Sequence, residues 1–203
     1  MKAGEQGKPV VVKVGGSLLA WSEFPDRMRE FLDKLGNVHV ILVVGGGATV
    51  DLVRDLDAAH RIGECRSHSL ALRALDLTSH ILAALIPGLE VVTNRHESND
   101  AHVRGKIPVL SPLLFMTEID IRSAKPLKES WDVTTDSIAA RLAEYLGAER
   151  LILLKSVGIN GARSRLEAAA TGLVDPAFPE ASQLLERVEI VNLRDENMPA
   201  YSI

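Results

Sequence analysis

The 203-residue chain contains one cysteine, Cys65, which rules out a disulfide within the chain and a cysteine-based zinc site. That usage fits a reducing compartment, with Cys65 read as a small filler residue. Aromatic residues make up only 4% of the sequence and the formal net charge is -4, so there are few platforms for base stacking and no basic field for nucleic acid. An anionic ligand must then be held by a local site. No apolar run approaches the roughly 20 residues that a membrane span needs. The opening MKAGEQGKPVVVKVGG has no apolar stretch ahead of a small-residue cleavage site. A cytoplasmic protein without membrane or nucleic-acid partners is the expectation. Two further absences bear on chemistry: there is no G-x-x-x-x-G-K-[ST] segment, and no lysine follows Lys155.

What is present is a regular alternation of strand and helix patterns. Val10-Val11-Val12 and Val38 to Val44 are nearly continuous β-branched runs, as in strands buried on both faces of a parallel sheet. Between them Phe24, Met28, Phe31, Leu32 and Leu35 recur at helical spacing, and Gly36-Asn37 supplies a stop. A second helix is expected from near Thr49, with His60 and Gly63 near its end, and a third from about Ser67 to Ile86, stopped by Pro87-Gly88. Glu90 to Thr93 and Ile107 to Leu110 read as short strands, and the polar stretch 94–106 between them as a functional loop. Asp136 to Leu146 is an amphipathic helix, Leu151 to Leu154 a buried strand, Asn160-Gly161 a hairpin-turn signal, and Val188 to Val191 a last apolar run. With 46% hydrophobic residues, the pattern predicts a single domain over 1–203, an open, mainly parallel, doubly wound α/β sheet flanked by helices.

In such sheets ligands bind beyond the carboxyl ends of the strands. Two glycine clusters fall there: Gly15-Gly16-Ser17, just after Lys13 and the first strand, and Gly45-Gly46-Gly47 after the second. Glycine permits close approach of backbone to phosphate, although tight turns use it for geometry alone. The segment from Gly45 has Val50 where a dinucleotide fingerprint requires its last glycine. Lys155 closes the oily run Leu151-Ile152-Leu153-Leu154, where a charge is costly unless paired. A carboxylate such as Asp136 between two neighbouring lysines would keep both charged. Phosphoryl transfer needs mainly positioning and charge neutralisation, so lysines, amides and a magnesium ion suffice.

Lys13-x-Gly-Gly-Ser17, Gly45-Gly46-Gly47, Thr134-Thr135-Asp136-Ser137 and the strand ending in Lys155 together resemble the amino acid kinase family, which includes acetylglutamate, aspartate, uridylate and isopentenyl phosphate kinases. The resemblance covers residues 9–60 and 131–161 well and the rest loosely. It implies ATP with Mg2+ as donor, and a phosphate or carboxylate on a small-molecule acceptor. Lys13 would stabilise the transferring phosphoryl group, Asp136 would orient the lysines, and Lys155 would be the second cation. Gly15, Gly16 and Ser17 would cradle the nucleotide phosphates, with Lys155, Val157 and Gly158 bordering the nucleotide. Gly45, Gly46 and Gly47 would face the acceptor, with Arg54, His68, Asp76 and Thr134, and His60 as a further candidate. No protein metal ligand set is implied; His96, Glu97, Asp100 and His102 read as a solvated loop rather than a metal site. A homodimer or higher homo-oligomer is expected by resemblance.

Trp131-Asp-Val-Thr-x-Asp-Ser-Ile-Ala and the short length are similar to the subgroup acting on aminomethylfuran-methanol phosphate in one-carbon cofactor synthesis. The chain departs from many family members in lacking a downstream catalytic lysine. Either Lys155, Arg163 or Arg165 replaces it, or turnover is weak or absent. A non-catalytic nucleotide-binding, anion-binding or storage protein on the same fold is the alternative.

Overall fold

The computed structural model describes residues 7–159 and 161–203. The first strand, β1 (Val10–Val14), enters the centre of a seven-stranded sheet and is followed by a short 3-10 turn at Gly16–Leu18 and helix α1 (Phe24–Leu35). Strand β2 (Val40–Val44), helices α2 (Ala48–His60) and α3 (Glu64–Leu85), β3 (Leu89–Val92), α4 (Arg95–Val103) and β4 (Ile107–Leu110) complete one wing. A helical turn, α5 (Pro112–Leu114), runs on into a π-helical turn at Phe115–Ile119. Helix α6 (Thr135–Leu146), β5 (Arg150–Lys155), the short helices α7 (Arg165–Ala170) and α8 (Phe178–Ala181), β6 (Val188–Asn192) and β7 (Ala200–Ser202) build the other wing. The sheet order is β3-β4-β2-β1-β5-β6-β7, parallel throughout except for β7, which pairs antiparallel with β6 at the edge.

The pleat decides what each strand offers to which layer, because successive side chains alternate faces. Val10, Val12 and Val14 of β1, with Ile152 and Leu154 of β5, pack in the layer of Phe24, Met28 and Phe31 from α1. Full burial of side chains of this size contributes roughly 1.5–3 kcal/mol each. Val11, Leu151 and Leu153 face the other layer, with Ile138, Ala139, Leu142 and Ala143 of α6. Continuing the same alternation, Lys13 and Lys155 lie on the α6 face. The register pairs Lys13 with Leu153 and Val14 with Leu154, so Lys155 stands one pleat beyond Lys13 on the neighbouring strand.

Several expectations are revised. The polar stretch 94–106 is mostly helical: Asn94 caps α4 by accepting from the Glu97 amide at 2.9 Å, while the Glu97 carboxylate accepts from Thr93 N at 2.8 Å. Two polar side chains thus satisfy the first turn, a reciprocal cap that outweighs the absence of an apolar face. Helix α3 begins at Glu64, earlier than Ser67, because Gly63 at φ 95° turns the chain directly out of α2. Strand β2 starts at Val40, leaving Val38 exposed. Asn160 lies outside the described residues; the strand after Gly161 runs parallel to β5, so 161–187 is a crossover carrying α7 and α8 and no hairpin forms there.

Candidate active site

The carboxyl ends of β1, β2 and β5 converge. Lys13 is 6% exposed and Asp136, in the first turn of α6, is 4% exposed. Asp136 reaches between the two lysines: Oδ1 lies 2.9 Å from Lys13 Nζ as an ion pair, and Oδ2 accepts a 2.7 Å hydrogen bond from Lys155 Nζ. Burial pushes the Asp136 carboxyl up, but Lys13 and Lys155 together outweigh it and hold it below the ordinary carboxylate range. Burial, then repulsion from Lys13, pulls the Lys155 ammonium down to about 8, against the attraction of Asp136. The three groups carry one net positive charge when both lysines are protonated, which suits an anionic ligand.

The glycine clusters serve each other as well as a ligand. A Cβ on Gly16 would overlap the Gly47 nitrogen and stand 2.6 Å from the Gly45 carbonyl oxygen; Gly47 adopts φ 50°. Only glycines allow these two loops to cross backbone to backbone. The Gly15 amide donates to Leu154 O at 2.9 Å and the Gly45 amide to Val14 O at 2.8 Å, so these two extend the sheet. Among the described residues no acceptor pairs with the amides of Gly16, Ser17, Gly46 or Gly47. Ser17 Oγ and Ser156 Oγ lie 3.2 Å apart, tying the loop after β1 to the end of β5. Val157 beyond them is exposed, and Gly158 has open space on its Cβ side.

Beside this centre is a cavity of about 240 Å³, with Lys13, Gly16, Gly45, Gly46 and Gly47 on one wall. Arg54, His68 and Thr134 line it too, over an apolar floor that includes Leu72, Leu75 and Ile138. His68 is buried and desolvation lowers its pKa, favouring the neutral imidazole. Trp131 is a lining residue that composition and spacing did not single out as a contact. Its indole donates to Asp57 Oδ2 at 3.0 Å, and the Arg54 guanidinium sits 4.9 Å from the ring centroid. Arg54 is thereby held at the cavity mouth by a stacked aromatic face.

Other candidates are placed elsewhere. Asp76 is absent from the cavity wall and accepts a 2.7 Å hydrogen bond from Ser111 Oγ; His60 is exposed at the end of α2. The Arg165 guanidinium donates to the carbonyls of Ser182 and Leu185, and the Arg163 backbone amide to Glu167; neither residue lines the cavity beside Lys13. His96 pairs with Asp100 on the surface and His102 with His39, Nδ1 to Nε2 at 2.9 Å. Among the described residues no three His, Cys, Asp or Glu side chains gather as a metal site. One acid escaped the sequence reading: Asp175, 6% exposed, accepts from the amides of Thr134 and Ser137 at 3.0 Å each. It therefore caps α6 in place of Thr134 or Thr135, and nothing in Leu173-Val174-Asp175-Pro176 signals a partner so distant in sequence.

This geometry can be set beside known proteins. The [5-(aminomethyl)furan-3-yl]methyl phosphate kinase of Methanocaldococcus jannaschii is 26% identical over 147 residues, covering 72% of this chain and 65% of the relative. A uridylate kinase of Methanosarcina barkeri is 31% identical over 157 residues, covering 73% and 60%. The chain thus spans less than two thirds of the length of these relatives. The solved uridylate kinase of Archaeoglobus fulgidus superposes with a TM-score of 0.60 at 18% identity, over 89% of this chain and 88% of that one. Aspartate kinase of Synechocystis gives 0.63 at 16%, over 95% and 40%, so both share the fold. No helix among the described residues is long and apolar enough to cross a membrane. The amino acid kinase family model matches residues 8–159, a stretch that contains both glycine loops, Lys13, Asp136 and Lys155, and the chain belongs to the amino acid kinase family.

Proposed function

We propose that the protein is a phosphotransferase that moves the γ-phosphoryl group of ATP to a phosphate or carboxylate on a small molecule. The observation that carries this reading is the buried Lys13–Asp136–Lys155 bridge at the joint between two glycine loops and a cavity. The curated relatives named for phosphate-ester acceptors, a uridylate and an aminomethylfuran-methyl phosphate, support a phosphate acceptor. The cavity is suited to a small acceptor: Arg54 and the amides of Gly46 and Gly47 would take its anionic group, and the floor of Leu72, Leu75 and Ile138 its apolar body.

Donor phosphates would lie along the amides of Gly16 and Ser17, with Lys155, Val157 and Gly158 bordering the rest of the nucleotide. Lys13 and Lys155 face the place where charge spreads over the transferring group, and both are fixed in advance by Asp136, so little reorganisation accompanies transfer. Magnesium, when bound, would neutralise phosphate charge, held mainly through phosphate oxygens and water, since no protein cage is gathered among the described residues. Transfer is direct and in line, and no side chain forms a covalent intermediate.

ATP turnover is to be measured with uridylate and with [5-(aminomethyl)furan-3-yl]methyl phosphate as acceptors, in wild type and Lys13→Ala. The expected result is transfer to a phosphate acceptor, reduced about 100-fold in Lys13→Ala. Stoichiometric nucleotide binding without transfer to any phosphate or carboxylate acceptor would instead support a non-catalytic binding protein.

We also propose a homodimer or higher homo-oligomer. Helix α2 buries no residue and leaves Leu52 and Leu56 exposed, beside exposed Leu70 and Leu77 on α3. Light scattering of the purified protein at micromolar concentration should give at least twice the 22.0 kDa chain mass. A monomer mass overturns this.

A further inference from the structure

We propose that Asp175 is a positioning residue for the catalytic carboxylate: by tying down the first turn of α6 it fixes Asp136 between Lys13 and Lys155. The inference rests on reading that bridge as the catalytic centre. Thr134 occupies the cap position of α6 but its side chain makes no capping bond to the helix. Its backbone N–H donates instead to Asp175 Oδ2 at 3.0 Å, and its hydroxyl to the same oxygen at 2.8 Å. The Ser137 amide also donates to Oδ2 at 3.0 Å, and the Ser137 hydroxyl donates to Oδ1. Four donors from the residues on either side of the Thr135-Asp136 pair thus converge on one carboxylate brought from the α7–α8 crossover.

The crossover is itself anchored to the same place. Ala177 N donates to Asp132 O at 3.3 Å, and Phe178 N, opening α8, donates to Asp175 O at 3.1 Å. Phe178 is fully buried, which pins the segment from behind. A cap made within the helix would satisfy orphan amides just as well. A cap from another element does more, because it fixes the helix end relative to that element and thus the rotation at which Asp136 leaves the helix.

The charged groups facing Lys155 are Lys13 on β1, Asp136 on α6 and Asp175 in the crossover. Burial raises the Asp175 carboxyl, its Ser137 and Thr134 donors lower it, and Asp136 raises it further. A displaced Asp136 would leave Lys155 with weaker attraction and the same burial, so its ammonium would lose its proton more readily.

The test follows the Lys155 ammonium by NMR in protein labelled with 13C-lysine, without any ligand, assigned by the signal lost in Lys155→Arg. Asp175→Asn, Asp175→Ala and Ser137→Ala are compared with wild type, each with its thermal midpoint. In wild type the Lys155 signal is expected to titrate at about 8. Both Asp175→Asn and Ser137→Ala are expected to lower that midpoint by about half a pH unit or more and to shift the Lys13 signal. If Asp175→Asn lowers it and Ser137→Ala does not, Asp175 acts through its charge alone and the positioning role is overturned. A loss of thermal stability with an unchanged Lys155 midpoint overturns it equally. Should Asp175 variants fail to fold, Ser137→Ala, which keeps the carboxylate, decides alone. No acceptor enters the measurement, so failure of the kinase reading and failure of this inference are separate results.

Discussion

Replacing Asp136 with asparagine is expected to cut turnover by about 1,000-fold and to destabilise the protein by roughly 3–5 kcal/mol at neutral pH. The amide keeps the shape of the carboxylate but removes the one negative charge that lies within 2.9 Å of both ammonium groups. Two buried like charges then face each other with only Asp175, beyond ion-pair distance, to offset Lys155. For a chain of this length the loss corresponds to a fall of about 10 °C in thermal midpoint.

The pH dependence gives the sign. Asp136 has a depressed folded pKa, so its stabilisation is present above its unfolded value near about 4 and is lost as pH falls through the folded one. Lys155 gives a slope of the same sign in a higher window. Its folded value of about 8 lies below the unfolded value near about 10.4, so the unfolded chain binds more protons between them and stability rises with pH across that window. Urea denaturation of wild type and variant from pH 3 to 10 checks both. A variant with wild-type stability at pH 7 would sink the idea that the bridge holds the site together.

The second large effect concerns the crossed loops. Gly47→Ala is expected to cost about 3 kcal/mol and most of the activity, and Gly16→Ala a similar amount. The Cβ of an alanine at 47 would stand 2.5 Å from Gly16 O, with φ at 50°. One at 16 would press on the backbone of Gly45 and Gly47. Backbone atoms cannot rotate aside as a flexible side chain would, so the loops must separate, moving Gly46 and Gly47 away from Lys13. Gly158→Ala is the comparison: nothing lies within 4 Å of its added Cβ, so its stability should match wild type. Chemical denaturation of the three variants separates the cases. Wild-type stability in Gly47→Ala would show that the loops can part without cost.

Much of the site was legible in the chain because the strands carry their own parity. Lys13 follows Val11 by two residues and Lys155 follows Leu153 by two, so each lysine had to share a face with its apolar predecessor. A buried lysine at a strand end called for a carboxylate, and Asp136 opens the helix lying on that face. Trp131 was legible only as part of a pattern, because its role as the stacking partner of Arg54 requires the segment before α6 to meet helix α2. Asp175 was not legible at all, since its four donors are about 40 residues distant and Thr134 offered a local cap that the structure declines. Helix α4 was hidden by composition: helical periodicity reports an apolar face, and a short helix ended by polar caps has little of one. The crossover 161–187 was obscured by turn residues that fit a hairpin as readily as a passage to a parallel strand.

If phosphate binds as proposed, the bridge would also couple that binding to proton uptake. With Lys155 near 8, part of the population around that pH lacks its second ammonium charge. A phosphate against Lys13 and Lys155 would favour the charged form, so its binding would draw a proton from solution and its affinity would fall as the medium becomes more alkaline. The oily strand that carries Lys155 to its place would thus make the proposed grip on phosphate adjustable by pH.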